Sequence, residues 1–209
     1  MSNSETTQTV DRSKNRKVKA ILAGGLVLGL GAAVTLAAWN DSEFVTGTFG
    51  VGHFNVLGSA DGTTFGDHAA GSPAALSFTT GFNNLSPSET VAAPYVLQLD
   101  TTTNFDATVS MNSAASSGTA AGQLTYKIIK VASVAGCTPT ATGTATIVPA
   151  GTALNSVAGA STFSLARSTS LGTLTGADVF LCIQVTSSTS LVQDTSAVGT
   201  WEFLATSTP

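Results

Sequence analysis

Two histidines, two cysteines and a few aspartates are the side chains of this 209-residue chain that could build a reactive or metal-binding centre. His53 and His68 belong to no HExxH or HxH pattern, and no Cys/His cluster surrounds them. Two imidazoles cannot form a zinc site unaided, because closed and catalytic zinc sites take four and three protein ligands. His53 is therefore expected as a solvent-facing strand residue, and His68, beside Asp67, as a loop residue. Asp61, Asp67 and Asp100 could bind calcium together with backbone carbonyls, but their spacing fits no EF-hand loop. Solvated loop carboxylates are the expected outcome. There is no GxSxG elbow to activate a serine and no CxxC pair. Gly24 and Gly25 sit in an apolar run, so they are not a phosphate loop. The expectation is no catalytic residue, no metal, no cofactor and no enzymatic activity.

Charge narrows the partners. Arg12, Lys14, Arg16, Lys17 and Lys19 all precede residue 20, and only Lys127, Lys130 and Arg167 follow it. Those three face ten acidic residues, which leaves −7 on the rest of the chain. A nucleic-acid binder needs a basic face for phosphates, and a peripheral binder of anionic membranes needs a basic patch. Neither is expected.

The early basic cluster has a different use. Residues 12–19 form a basic n-region, and residues 20–38, AILAGGLVLGLGAAVTLAA, an uncharged h-region ending in small residues. That order describes a secretory signal peptide. A permanent membrane helix is the alternative, since 19 residues approach the length of a bilayer span. The Gly/Ala-rich run is a weak anchor, and polar Trp39-Asn40-Asp41 follows at once, so cleavage is expected after Ala38, or after Ala37. Membrane contact is then confined to the uncleaved leader. The remaining residues 39–209 read as one domain.

Cys137 and Cys182 lie beyond that site and would reach an oxidising compartment. Strict alternation in Val179-Phe180-Leu181-Cys182-Ile183-Gln184-Val185 points Val179, Leu181, Ile183 and Val185 inward and leaves Cys182 on the opposite face. From there it could pin the Cys137 loop to the outside of a strand. A disulfide is expected, with two separate thiols as the alternative. In the chain-entropy picture a bridge over such a loop contributes roughly 4 kcal/mol.

Past residue 38 the recurring signal is period-2 alternation, the mark of half-buried strands. It runs through His53-Phe54-Asn55-Val56-Leu57, Ala75-Leu76-Ser77-Phe78 and Tyr95-Val96-Leu97-Gln98-Leu99. It recurs in Phe105 to Met111, with Phe105, Ala107, Val109 and Met111 inward, and in Leu124 to Ile128, Val179 to Val185 and Trp201 to Leu204. Asp61-Gly62, residues 113–122 and residues 187–190 carry turn residues. Several short strands with turns between them predict an all-β antiparallel sandwich, with a barrel as the alternative.

The stretch Ala37-Ala38-Trp39-Asn40-Asp41, followed by Phe44-Val45-Thr46-Gly47-Thr48-Phe49, resembles the start of the TasA/camelysin family. These are exported proteins of Gram-positive bacteria whose leaders are cut by a dedicated SipW-type signal peptidase, and the likeness is to actinobacterial members. Leu36, large where an ordinary signal peptidase prefers a small residue, fits that peptidase. Asn84-Leu85-Ser86-Pro87-Ser88-Glu89 resembles the family's Leu-x-Pro-Gly turn, with Ser88 in place of glycine. The resemblance implies a jelly-roll-like sandwich, secretion to the cell surface, and matrix or biofilm fibres built by strand donation. Phe44, Val45 and Phe49 would then form the self-assembly strand. Two other functions compete with fibre formation. One is a monomeric carbohydrate- or surface-binding module using Trp39, Tyr95, Tyr126 or Trp201. The other is a camelysin-type metallopeptidase, for which no metal ligands are evident.

Secreted protein should begin Trp-Asn-Asp, or Ala-Trp-Asn-Asp, by N-terminal sequencing. An intact N-terminus recovered from membranes would contradict the leader reading.

Overall fold

The computed structural model describes residues 16–22, 43, 46–47, 52–79, 81 and 83–208. The chain divides into two units, Met1–Phe49 and Gly50–Pro209. In the first, residues 16–22 are helical. Among the described residues no helix is long and apolar enough to cross a membrane. The residues read as leader core and cleavage site, including Ala37, Ala38 and Trp39, lie outside the described residues, as do Phe44, Val45 and Phe49.

The second unit is an all-β sandwich of two antiparallel sheets. Its strands are β1 (Val56–Ser59), β2 (Thr90–Leu99), β3 (Asp106–Ser117), β4 (Leu124–Val131), β5 (Ala145–Ala153), β6 (Phe163–Leu165), β7 (Val179–Ser187) and β8 (Val198–Thr208). One sheet has the order β1-β2-β7-β4-β5 and the other β6-β3-β8. From β2 onward the chain passes repeatedly between the sheets, and β7 returns to lie between two much earlier strands.

Alternation decides what each strand buries. Leu97 and Leu99 of β2, Ala107, Val109 and Met111 of β3, Tyr126 and Ile128 of β4, and Leu181, Ile183 and Val185 of β7 meet in one core. Burying each large side chain contributes roughly 1.5–3 kcal/mol. The central strands β2, β7 and β4 are covered on their outer faces too. There Ala92, Ile129, Val131, Cys137 and Cys182 form a second cluster, with Ala141 and Phe180 packed beside it. Burial on both faces explains the near-continuous apolar run of β7.

Several expectations change. Phe105 was expected inward, but it precedes β3 and is 38% exposed. Only Val56 and Leu57 of the first expected strand lie in a ladder, with His53 in an isolated bridge to Thr103. Leu76 and Phe78 pack against the core, yet residues 75–78 form no strand. There the Thr79 hydroxyl accepts from the Ala92 N–H (3.1 Å), the donor a neighbouring strand would use. Residues 113–117, expected in a loop, continue β3 past an irregularity between Met111 and Ser113. Partner β8 runs from Val198 to Thr208 and supplies their ladder.

The turn before β2 carries the position where the family resemblance expects glycine. The Glu89 N–H donates to the Ser86 carbonyl (3.2 Å), Pro87 takes the second place, and Ser88 has φ +62°. That is a type II turn, whose third residue favours glycine. Ser88→Gly should therefore raise stability by about 0.5–1 kcal/mol, the strain relieved less the added chain entropy. A melting temperature up by roughly 2 °C would show it, and a fall would refute it.

Candidate functional site

Cys137 and Cys182 form the disulfide, with Cα atoms 5.0 Å apart. As alternation required, Cys182 sits on the outer face of β7, fully buried. The bridge holds residues 134–141 over that face. Gln184, two residues along the same face, reinforces the hold: its Nε2 donates to the Thr138 carbonyl (2.7 Å) and the Ala141 carbonyl (3.0 Å).

His53 is exposed, and its Nε2 lies 2.9 Å from Asp100 Oδ2. Asp100 is the hub of a turn. It accepts from the Thr102 N–H (3.0 Å), the Thr103 N–H (2.7 Å) and the Thr103 hydroxyl (2.7 Å). Thr103 is fully buried and in turn accepts from the Asn55 N–H (2.8 Å). Burial pushes the Asp100 carboxyl up, but the hydrogen bonds from Thr103 and Thr102 outweigh it and hold the group below the usual carboxylate range. Among the described residues no serine or cysteine bonds to the His53 ring, so the Asp–His pair has no third member. Its geometry serves to lock residues 53–55 against the β2–β3 turn.

Asp61 plays the same part in the turn after β1, accepting from the Ser59 hydroxyl (2.8 Å), the Thr63 N–H (2.8 Å) and the Thr64 N–H (2.7 Å). The backbone bonds from Thr64 and Thr63, with Ser59, hold its carboxyl far below the usual range. Asp61 lines an open hollow of about 330 Å³ with Thr64, exposed His68 and Ser77. Asp67 is exposed in the same loop. Among the described residues no three His, Cys, Asp or Glu side chains converge on one point.

Of the aromatic rings considered for stacking on sugars, Trp39 lies outside the described residues, and Tyr95, Tyr126 and Trp201 pack against the core. Tyr126 is 1% exposed, Trp201 lies 5.2 Å from it between ring centroids, and Tyr95 stacks on Phe203 at 5.9 Å.

The largest unclaimed bonding capacity belongs to a strand edge. All eleven residues of β8 run beside β3, and among the described residues the other side of β8 has no strand partner. Trp201, Phe203 and Ala205 pack against the core, while Thr200, Glu202, Leu204 and Thr206 are exposed. At about 3.4 Å per residue the edge is roughly 35 Å long. Natural edges are usually blunted by shortness, proline, lysine or bulges. The end strands β1, β6 and β5 show such devices, with four residues, three residues, and Pro149 with shifts of register; beyond Val109, β3 is also unpaired on its β6 side among the described residues. β8 contains no proline or lysine. Its one charge, Glu202, is turned to β3, where Ser113 Oγ (2.7 Å) and Asn112 Nδ2 (2.8 Å) donate to it and lower its carboxyl. This edge escaped the sequence reading because only Trp201 to Leu204 alternate in hydrophobicity; the flanking Thr, Gly, Ala and Ser carry no such signal.

Compared with known families and curated proteins, the chain matches no family model and no curated protein.

The Asp100 hub predicts acid sensitivity. Its folded-state carboxyl lies below the unfolded value near 3.9, so its stabilisation is full above about pH 4 and is lost as pH falls through the folded value. Asp100→Asn should cost about 1–2 kcal/mol at pH 7, with the gap to the parent closing in acid. Paired urea melts at pH 7 and pH 3 would check it; a gap that stays constant would refute the assignment.

Proposed function

We propose that this chain is an exported structural protein of the cell surface or extracellular matrix. Copies join when the segment 39–49, freed by leader cleavage, adds as a strand to the β8 edge of a neighbour. The observation that carries the reading is the eleven-residue edge of β8, unpaired among the described residues and free of proline and lysine. Strand addition uses main-chain hydrogen bonds for affinity and alternate side chains for specificity. A head-to-tail contact of this kind propagates into a filament.

Further support comes from the leader-like residues 12–38, the resemblance of residues 37–49 to the TasA/camelysin start, and a disulfide of the sort that persists outside the cytosol. The partners in this reading are other copies of the chain and, during export, a SipW-type signal peptidase. The protein is secreted, remains at the surface of a Gram-positive cell, and does no catalysis. While the leader is attached, the donor segment is tethered at the membrane, so processing acts as the assembly switch.

Phe44 and Phe49 in a neighbour's groove would contribute roughly 3–6 kcal/mol before ordering costs. Electron microscopy of processed protein should show filaments. A chain starting at Gly50 should stay folded and lose them. Phe44→Asp should do the same, and so should a Thr200→Lys, Thr206→Lys pair on β8. Normal filaments from the truncated chain would defeat the donor assignment, and normal filaments from the lysine pair would defeat the acceptor assignment.

A further inference from the structure

The exposed large hydrophobic side chains of the sandwich are sorted to its two ends. Strand register defines those ends: Asp106 lies opposite Thr208 and Ser117 opposite Val198, so the ladder of β3 and β8 runs roughly 35 Å between them. Phe54, Phe105, Leu171 and Leu174 are exposed at the Asp106 end. Phe54 precedes β1, whose Val56 pairs with Leu99, and Phe105 precedes β3. The two leucines lie between Leu165 of β6 and Val179 of β7, which both sit at that end. Val192 and Val198 are exposed at the other end, where the chain passes from β7 to β8. Among the described residues of the sandwich unit only Leu204, within β8, is a large exposed hydrophobe away from both ends.

Both sets are held in place by the fold. The three segments carrying the first set meet at the turn between β2 and β3. There the Thr103 hydroxyl accepts from the Asn55 N–H (2.8 Å), and the Thr101 carbonyl accepts from the Gly172 N–H (2.6 Å). At the other end the Gln123 side-chain carbonyl accepts from the Val192 N–H (2.7 Å). Single exposed apolar residues are ordinary, but a set gathered at one place marks a contact surface. A lipid surface suits the first end poorly. Asp100, Asp106 and Asp178 there outnumber Arg167 and Lys130, and anionic headgroups would repel the excess.

A second copy of the chain fits both ends. The donor segment proposed above stops at Phe49, and only Gly50 and Val51 separate it from Gly52 at the Phe54 end. Three Cα steps reach at most about 11 Å. A donor strand on a neighbour's β8 therefore holds the Phe54 end of its own domain close to one end of that neighbour. Antiparallel addition, the commoner pairing, sets Phe49 beside Val198. We infer that each copy docks its Phe54, Phe105, Leu171 and Leu174 end on the Val192 and Val198 end of the next, an inference that rests on the strand-addition reading. The two surfaces differ, so the contact is heterologous and repeats along a filament. Folded bodies then share the work of holding it with the donor strand.

The test is cross-linking of processed protein carrying Leu174→Cys and Val198→Cys, treated with a short bismaleimide under conditions in which the parent assembles. Cys137 and Cys182 are bridged, so only the introduced thiols react. Within one chain they lie at opposite ends, too far apart to be joined. The pair should give a ladder of covalent oligomers, and each single variant should give none. Leu171→Lys with Leu174→Lys should raise the critical concentration for filaments roughly tenfold or more, with the melting temperature kept. The inference is overturned if the cysteine pair gives no ladder, if Leu174→Cys alone cross-links as well as the pair, or if the lysine pair assembles as the parent does. Filaments without a ladder defeat the end contact alone, whereas strand addition is judged separately by the filaments of Phe44→Asp. Should Val198→Cys lose its fold, Val192→Cys supplies the same comparison.

Discussion

Strand β7 must be dry on both faces, and much of the architecture follows from that. Its inner face carries Leu181, Ile183 and Val185 into the core between the sheets. The outer face carries Phe180 and Cys182, which a two-layer sandwich would leave in water. A third layer is therefore needed, and residues 134–141 provide it. Such a short loop has little apolar surface with which to hold itself down. The disulfide and the Gln184 amide do the holding instead, one by a covalent tether and the other by two hydrogen bonds to loop carbonyls.

The two sheets manage their borders differently. The five-stranded sheet ends in a short strand on one side and in an irregular, proline-bearing strand on the other. The three-stranded sheet ends in a long regular strand, β8. The turns after β1 and β2 are each organised by a carboxylate: Asp61 and Asp100 gather several N–H and O–H donors. These carboxylates stand where a catalytic reading would look first, and Oδ1 of each already gathers backbone N–H groups of the turn that it folds. His53 has a similar part, since its contact with Asp100 ties the chain's entry into β1 to the turn between β2 and β3.

What could be read from the residues alone follows from how burial is distributed. Strands with one wet face and one dry face, such as Asp106 to Met111, show it in their alternation. The placement of Cys182 followed from the same rule, and with it the bridge to Cys137. Strand β5 has only adjacent Ile147 and Val148 and the ring of Pro149 among Ala, Thr and Gly, and the ends of β8 are mostly Thr, Ser, Ala and Gly, so position alternates there without an alternation in hydrophobicity. Leu76 and Phe78 mislead in the opposite way, since they alternate and are half-buried while their backbone joins no ladder. Gln184 looks like an ordinary polar residue in an apolar strand. Its two bonds to a loop more than forty residues away arise only from tertiary placement.

Both long ladders join parts of the chain that are made far apart in time. Thr90 meets Thr186 across 96 residues, and Ser113 meets Glu202 across 89. During synthesis β2, β3 and β4 emerge well before β7 and β8, the strands that complete their sheets. Contacts of such long range are slow to form, because loop closure must precede any reward from burial. A growing chain of this order has no way to finish either layer until nearly its last residue is available. Completion of both sheets thus comes late in the order of synthesis, which suits the export proposed for this chain.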